Sequence, residues 1–188
     1  MAELTFVTGN TDKYLIGSDT CRKYGITLVQ ASPDIDEIQS EDAVHIAKVK
    51  AQAAYYLLQK PVIVSDDSWA IPGLNGFPGP YMKSINQWFG VDEFLRLTAP
   101  LTDRSCILSK LLVYQDEVEQ VVFSRQIRGT ILREPRGDTT TPWAALVALE
   151  GDKGLSIAEF RASNKDHSTR KTSDIWHELV TWYKEHRQ

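Results

Sequence analysis

The sequence predicts an α/β protein, a mixed sheet with helices packed on it, folded as two lobes around a central cleft. Three observations predict it. Strand-like and helix-like segments alternate from Leu4 to Val64 in the order βαβαβ, the pattern of a mostly parallel sheet covered by helices. The last strand of that run, Val62-Ile63-Val64, is continuously β-branched, as suits a strand buried on both faces. Two longer β-rich runs, Cys106 to Tyr114 and Gln120 to Leu132, flank the acidic turn Gln115-Asp116-Glu117 and suggest a long antiparallel hairpin in a second lobe over roughly 84–130. Residues 1–188 together read as one domain.

Each element has its own signal. Leu4 to Val7 is the first strand, followed by the loop Thr8-Gly9-Asn10-Thr11-Asp12-Lys13 and a helix through about Tyr24. Ile26 to Val29 gives the second strand. From Glu41 to Gln59, Ala43, Ile46, Ala47, Ala53, Ala54 and Leu57 form an apolar helical stripe, with Ser40 placed to cap its start. The third strand reads PVIVSDDSW and is expected to leave the core at Asp66 and Asp67. Pro72 to Pro80 is too dense in Gly and Pro for a regular element and predicts a loop that walls a site. Val91 to Thr98 predicts a helix. Ser173 to His186 predicts the last one, with Ile175, Leu179 and Trp182 at helical spacing.

Composition narrows the function. At 188 residues the chain is long enough to bury a sizeable core without staples. Cys21 and Cys106, neither at metal-ligand spacing, imply reduced thiols and a cytoplasmic setting. No window approaches the roughly 20 apolar residues of a membrane span, and MAELTFVTGN has neither a basic leader nor a long apolar run, so a soluble, unsecreted protein is expected. The net charge of −4 and a pI near 5.6, with scattered basic residues, argue against nucleic-acid binding. A small anionic ligand remains compatible, because a few placed lysines and a metal suffice to bind one.

The chemistry-bearing residues gather in few places. The loop between the first strand and helix has the geometry in which backbone N–H groups and a helix's positive end hold phosphate oxygens, and Thr8, Asn10 and Lys13 add a hydroxyl, an amide and a charge. An ordinary Asn/Gly turn reads the same way. Asp66 and Asp67 stand where open α/β sheets place ligands, or they serve a turn. Lys50 borders the apolar stripe of its helix, where a lysine snorkels or reaches a ligand.

Taken in order, TGNTDK, DEIQSE, the helix bearing Lys50-Ala51, SDDSW, LNGFPGPYMK and RGTILREPRG resemble the Ham1 or inosine triphosphate pyrophosphatase family across nearly the full length. The most specific match is the spacing from Asp66 to Pro78-Gly79-Pro80-Tyr81, since the family's catalytic Asp stands the same distance before PG-x-Y. That spacing selects Asp66 and puts Asp67 where the family usually has Ser or Thr. The resemblance implies hydrolysis of a nucleoside triphosphate, usually a non-standard purine such as ITP, dITP or XTP, between the α and β phosphates, with Mg²⁺ and a homodimer. It implies Asp66 and Lys50 as catalytic residues, Thr8, Asn10, Lys13 and Lys165 on the phosphates, and Glu37 beside Asp66 at the metal, with Glu41 as the alternative to Glu37.

Two segments depart from the family pattern. After Pro135-Arg136-Gly137 the family's FGYDP-like run is replaced by Asp138 to Ala145, which puts Thr141 at its Phe and Ala144 at its Asp. Trp143 is left either to stack on a base or to join the core. Later, Ser168-Thr169-Arg170 stands for the family's Ser-His-Arg, leaving Arg170 and a displaced His167 to meet the base. Both departures lie on the base side, so the expectation is pyrophosphohydrolase chemistry with altered or relaxed base preference. A nucleotide-binding protein without turnover is the second reading, and an interaction module using the Gly/Pro-rich loop and Trp69 the third.

Overall fold

The structure, a computed structural model, describes residues 2–163 and 166–187. The first half alternates as the sequence predicts: β1 (Ala2–Val7), α1 (Thr11–Lys23), β2 (Ile26–Ala31), α2 (Ala43–Leu58) and β3 (Val62–Ala70). β4 (Pro78–Gly79), α3 (Met82–Trp88) and α4 (Val91–Thr98) follow, then β5 (Ser105–Gln115) and β6 (Gln120–Ile131). α5 (Pro142–Leu146), β7 (Val147–Leu149), α6 (Ile157–Ser163) and α7 (Asp174–Arg187) complete the order. The sheet runs β2-β1-β3-β5-β6-β7, with β4 paired to β3. It is mixed: β1 lies parallel to β2 and β3, whereas β3–β4 and β6–β7 are antiparallel.

Three expectations change. The third strand does not end at its acids but continues to Ala70, so Asp66 and Asp67 lie within a strand. The Gly/Pro-rich stretch is partly regular: Pro72–Leu74 form a 3-10 turn, and Pro78 and Gly79 pair with Ala70 and Trp69. α2 is capped by Asp42 rather than Ser40. The Asp42 carboxylate accepts from the N–H groups of Val44 and His45, while the Ser40 hydroxyl accepts from Asp42 N–H.

The chain gathers into two compact units, Met1–Asp67 with Lys110–Arg125 and Asp166–Gln188, and Ser68–Ser109 with Gln126–Lys165. In the first, strand alternation sorts side chains onto two faces. Leu4, Phe6, Ile63, Leu112 and Tyr114 face α1 and α7, packing on Ile16, Cys21, Ile175, Trp176 and Leu179. Val7, Val62, Val64, Leu111 and Val113 face α2, packing on Ala47, Ala51 and Ala54. Burial on both faces explains why these strands are apolar without interruption. Each large side chain so buried contributes roughly 1.5–3 kcal/mol of transfer free energy. Phe6 meets Trp176 edge-on at 4.8 Å, and Gly17 lets α1 approach that same indole.

The second unit has its own core, centred on Trp69, Ile71, Phe94, Ile131, Trp143 and Leu146. Arg104 ties its loops together by donating to the carbonyls of Thr98, Ile131 and Leu132, each at 2.8 Å. Both cysteines are free and buried, and burial pushes each thiol up to about 12. No helix among the described residues is long and apolar enough to cross a membrane.

Candidate active site

The loop from β1 to α1 is built by short-range hydrogen bonds. Thr8 N–H donates to Ala31 O at 2.9 Å and Gln30 Nε2 donates to Thr8 O at 2.8 Å, fastening the loop to the end of β2. The Thr8 hydroxyl accepts from Asn10 N–H at 3.1 Å. The Asn10 amide oxygen accepts from Lys13 N–H at 3.0 Å and so caps α1. Both side chains thus shape the turn, and their shaping places Lys13 in the first turn of α1 beside the carboxylates of β3.

Those carboxylates leave β3 on opposite faces. Val64 faces α2, so strand alternation sends Asp66 the same way, whereas Ile63, Ser65 and Asp67 share the α1 and α7 face. On the α2 side the nearby charge is Lys50. It forms an ion pair with Glu37, and its charge also reaches Asp66. On the other side, Asp67 Oδ2 lies 3.3 Å from Lys13 Nζ and 3.3 Å from Lys110 Nζ. Lys13 acts on both acids.

The two environments separate the acids. Burial raises the Asp66 carboxyl above its ordinary range and the adjacent Asp67 charge adds to that, against the pull of Lys13, Lys50 and a 2.9 Å hydrogen bond from Asp67 N–H. Asp67 is half-buried as well, but Lys110 and Lys13 outweigh the desolvation and hold it below the usual carboxylate range. Burial, with Lys13 and Arg170 nearby, holds the Lys110 ammonium below the ordinary lysine range despite Asp67.

The structure therefore brings Lys13, Glu37, Lys50 and Asp66 together. Glu41 is exposed in the turn ahead of α2, and its neighbour Glu37 is the acid that meets Lys50. Arg170 is 5 % exposed, and its charge reaches Lys110. His167 is half-buried in the preceding 3-10 turn, its N–H donating to Asp19 at 3.3 Å. Lys165 lies outside the described residues. Of its two readings Trp143 takes the core rather than the stacking one: it is 2 % exposed, packs edge-on against Trp69 at 5.6 Å and lies tilted against Phe94 at 5.1 Å. Its indole is part of the second unit's core.

Lys110 escaped the sequence reading. Its signal was present: in Leu108-Ser109-Lys110-Leu111-Leu112-Val113 a lone lysine interrupts a strand buried on both faces, where only a partnered charge is tolerated.

The donor set suits Mg²⁺. Among the described residues no group of three or more His, Cys, Asp or Glu side chains is placed to hold a metal alone. Mg²⁺ commonly binds through one or two carboxylates, its waters and substrate phosphates, and Asp66 with Glu37 supply hard oxygen donors of that kind.

The chain is similar to several known proteins. A dITP/XTP pyrophosphatase from Methanopyrus kandleri is 30 % identical over 183 residues, covering 97 % of this chain and 96 % of its own. An inosine triphosphate pyrophosphatase from Candida glabrata is 31 % identical over 173 residues, covering 87 % and 88 % of the two chains. Among solved structures, a HAM1 protein from Coxiella burnetii superposes with a TM-score of 0.77 at 20 % identity, over 98 % of this chain and all of the other. The Ham1 family pattern matches residues 4–173, nearly the whole length, and the chain belongs to the Ham1 family.

Proposed function

We propose that this protein hydrolyses non-standard purine nucleoside triphosphates, dITP, XTP or ITP, to the monophosphate and pyrophosphate. The observation that carries the reading is Asp66, a half-buried carboxylate of raised pKa between Lys13 and Lys50, in a chain of the Ham1 family. Its relatives named for dITP/XTP and for inosine triphosphate pyrophosphatase activity supply the substrate class.

The arrangement supports a direct route. Asp66 accepts a proton from water while the water oxygen bonds to the α-phosphorus, and the bridging bond to the β-phosphate breaks with its electron pair leaving on pyrophosphate. A carboxylate whose pKa is lifted by burial is the better base for that step. Lys13 and Lys50 lie where they oppose the charge gathering on the phosphates. Glu37 holds Lys50 and, with Asp66, would hold Mg²⁺, which supplies further charge neutralisation on the phosphate oxygens. Arg170 and His167 are proposed to meet the base, and Lys165 a phosphate. Residues 1–188 act as one pyrophosphatase domain in this reading.

The base preference is proposed to be altered or relaxed. What supports this is the replacement of the aromatic and acidic side chains expected after Gly137 by Thr141 and Ala144, together with the burial of Trp143. Two free, buried cysteines suit a reducing, cytoplasmic setting.

Pyrophosphate release with Mg²⁺ across ITP, dITP, XTP and the standard ribo- and deoxynucleotides tests the proposal, with Asp66→Asn as control. Release from the non-standard purines that disappears in the control is expected. Binding without release would leave the chain a nucleotide-holding role, and no binding at all would overturn the reading.

A further inference from the structure

The face of β3 opposite Asp66 carries a charge cluster, two members of which, Asp67 and Lys110, have no role in the reaction above. Asp67 Oδ2 is shared by two ammonium groups at the same 3.3 Å, and Lys110 also reaches Oδ1 at 3.4 Å. These contacts are longer than the roughly 2.7–2.9 Å of a tight charge-assisted hydrogen bond, so one negative charge is divided between two cations and held closely by neither. The two cations differ in freedom. The Lys110 side chain is 7 % exposed and rooted in a central strand, whereas that of Lys13 is 23 % exposed and sits in the first turn of α1. Lys13 is able to leave; Lys110 is not.

Removing Lys13 from Asp67 without Lys110 would strand a half-buried carboxylate with no cation at hand, a costly state. With Lys110 behind it, Asp67 keeps a partner whichever way Lys13 turns. The charge of Arg170 also reaches Lys110. The hydroxyl of Ser65, on the same face of β3, is buried and has no hydrogen-bond partner among the described residues, so it adds a polar atom that the resting arrangement does not use.

We propose that Lys110 and Asp67 are positioning residues for Lys13: Asp67 parks the Lys13 ammonium beside Asp66, and Lys110 takes over Asp67 when Lys13 turns to a phosphate. The inference rests on the reading of Lys13 as a phosphate contact. Lys110 itself touches no substrate. Its removal leaves Lys13 as the sole partner of Asp67 and thereby withholds Lys13 from the ligand.

The test is a dITP titration in the presence of Mg²⁺, with Asp66→Asn as the parent so that binding is read without turnover. Lys110→Met is expected to weaken binding about tenfold or more, and adding Asp67→Asn to it to bring affinity back to within about threefold. Lys110→Arg retains the charge and is expected to bind like the parent. Asp67→Asn alone, which frees Lys13, is expected to bind at least as tightly. With Asp66 intact, the Lys110→Met effect falls on KM rather than kcat, which loss of folding alone would not produce. A double variant as weak as Lys110→Met, or weakened binding by Asp67→Asn alone, overturns the proposal, because Lys110 would then be a direct or purely structural contributor. Loss of the hydrolase reading is separately visible: it shows as no pyrophosphate release from the unmodified chain, whatever the order of binding among the variants.

Discussion

Asp66 and Asp67 are the same chemical group at adjacent positions, and the protein moves their acidities in opposite directions. Asp66 has a folded-state pKa above its ordinary 3.8, so its protonated form is the one folding favours. The stability it contributes is complete below that value and is lost as the pH rises through the raised one. At neutral pH the ionised group is therefore a standing cost. Asp66→Asn is expected to lose pyrophosphate release by about a hundredfold or more and yet to melt above the parent near pH 7 in EDTA, the gap closing toward about pH 3. Asp67 has the opposite sign: its depressed pKa gives stability that is complete above 3.8 and lost as the pH falls through the folded value. Asp67→Asn should accordingly melt below the parent at neutral pH, and paired melting curves across pH check both. At this scale the residues with distinctive neighbours, Lys13, Lys50 and Asp66, were legible in the sequence. The face each acid takes was not, because it depends on β3 continuing through both residues as one strand, and the Pro- and Gly-rich segment beyond hid that continuation. Trp143 stayed open between two readings for a related reason, since a ring that stacks on a base and a ring that fills a core are the same residue until its neighbours are known.

Helices α1, α2, α4 and α7 were legible because each buries only one face and so carries a helical period. α5 was not. Four of its five residues, Trp143 to Leu146, are buried, leaving no polar face to mark the turn. β4 and α6 are too short for any period, and tertiary contacts rather than propensity create them. Two substitutions examine the elements that were legible. A Cβ at Gly17 would lie 2.6 Å from the Trp176 ring and 2.9 Å from Leu28, so Gly17→Ala should push α1 away and lower stability by about 1–3 kcal/mol in urea unfolding, despite alanine's better helix propensity. Asp42→Ala removes the cap of α2, with an expected loss of about 1 kcal/mol by the same measurement. The helix that carries Lys50 would fray at its start while its Ala-lined face stays packed.

For the whole molecule, the cores and the chemistry are separable. The candidate metal carboxylates belong to none of the three apolar clusters. EDTA is therefore expected to stop pyrophosphate release while leaving the far-ultraviolet circular dichroism unchanged, and added Mg²⁺ to restore release. A protein whose fold depended on the ion would lose both together.

The way the chain is divided has one more consequence. Each compact unit is assembled from separated stretches, with the boundaries falling inside β3, β5 and β6 and again before Asp166. A chain emerging from the ribosome accordingly holds most of the first unit's strands long before it has α7, whose Ile175, Trp176, Leu179 and Val180 close one side of that unit's core. Until those residues emerge, the apolar face of β1 and β3 has α1 over it but not α7. Synthesis must carry that face only partly covered through more than a hundred residues of intervening chain, which makes the final helix the step that commits the molecule to its folded state.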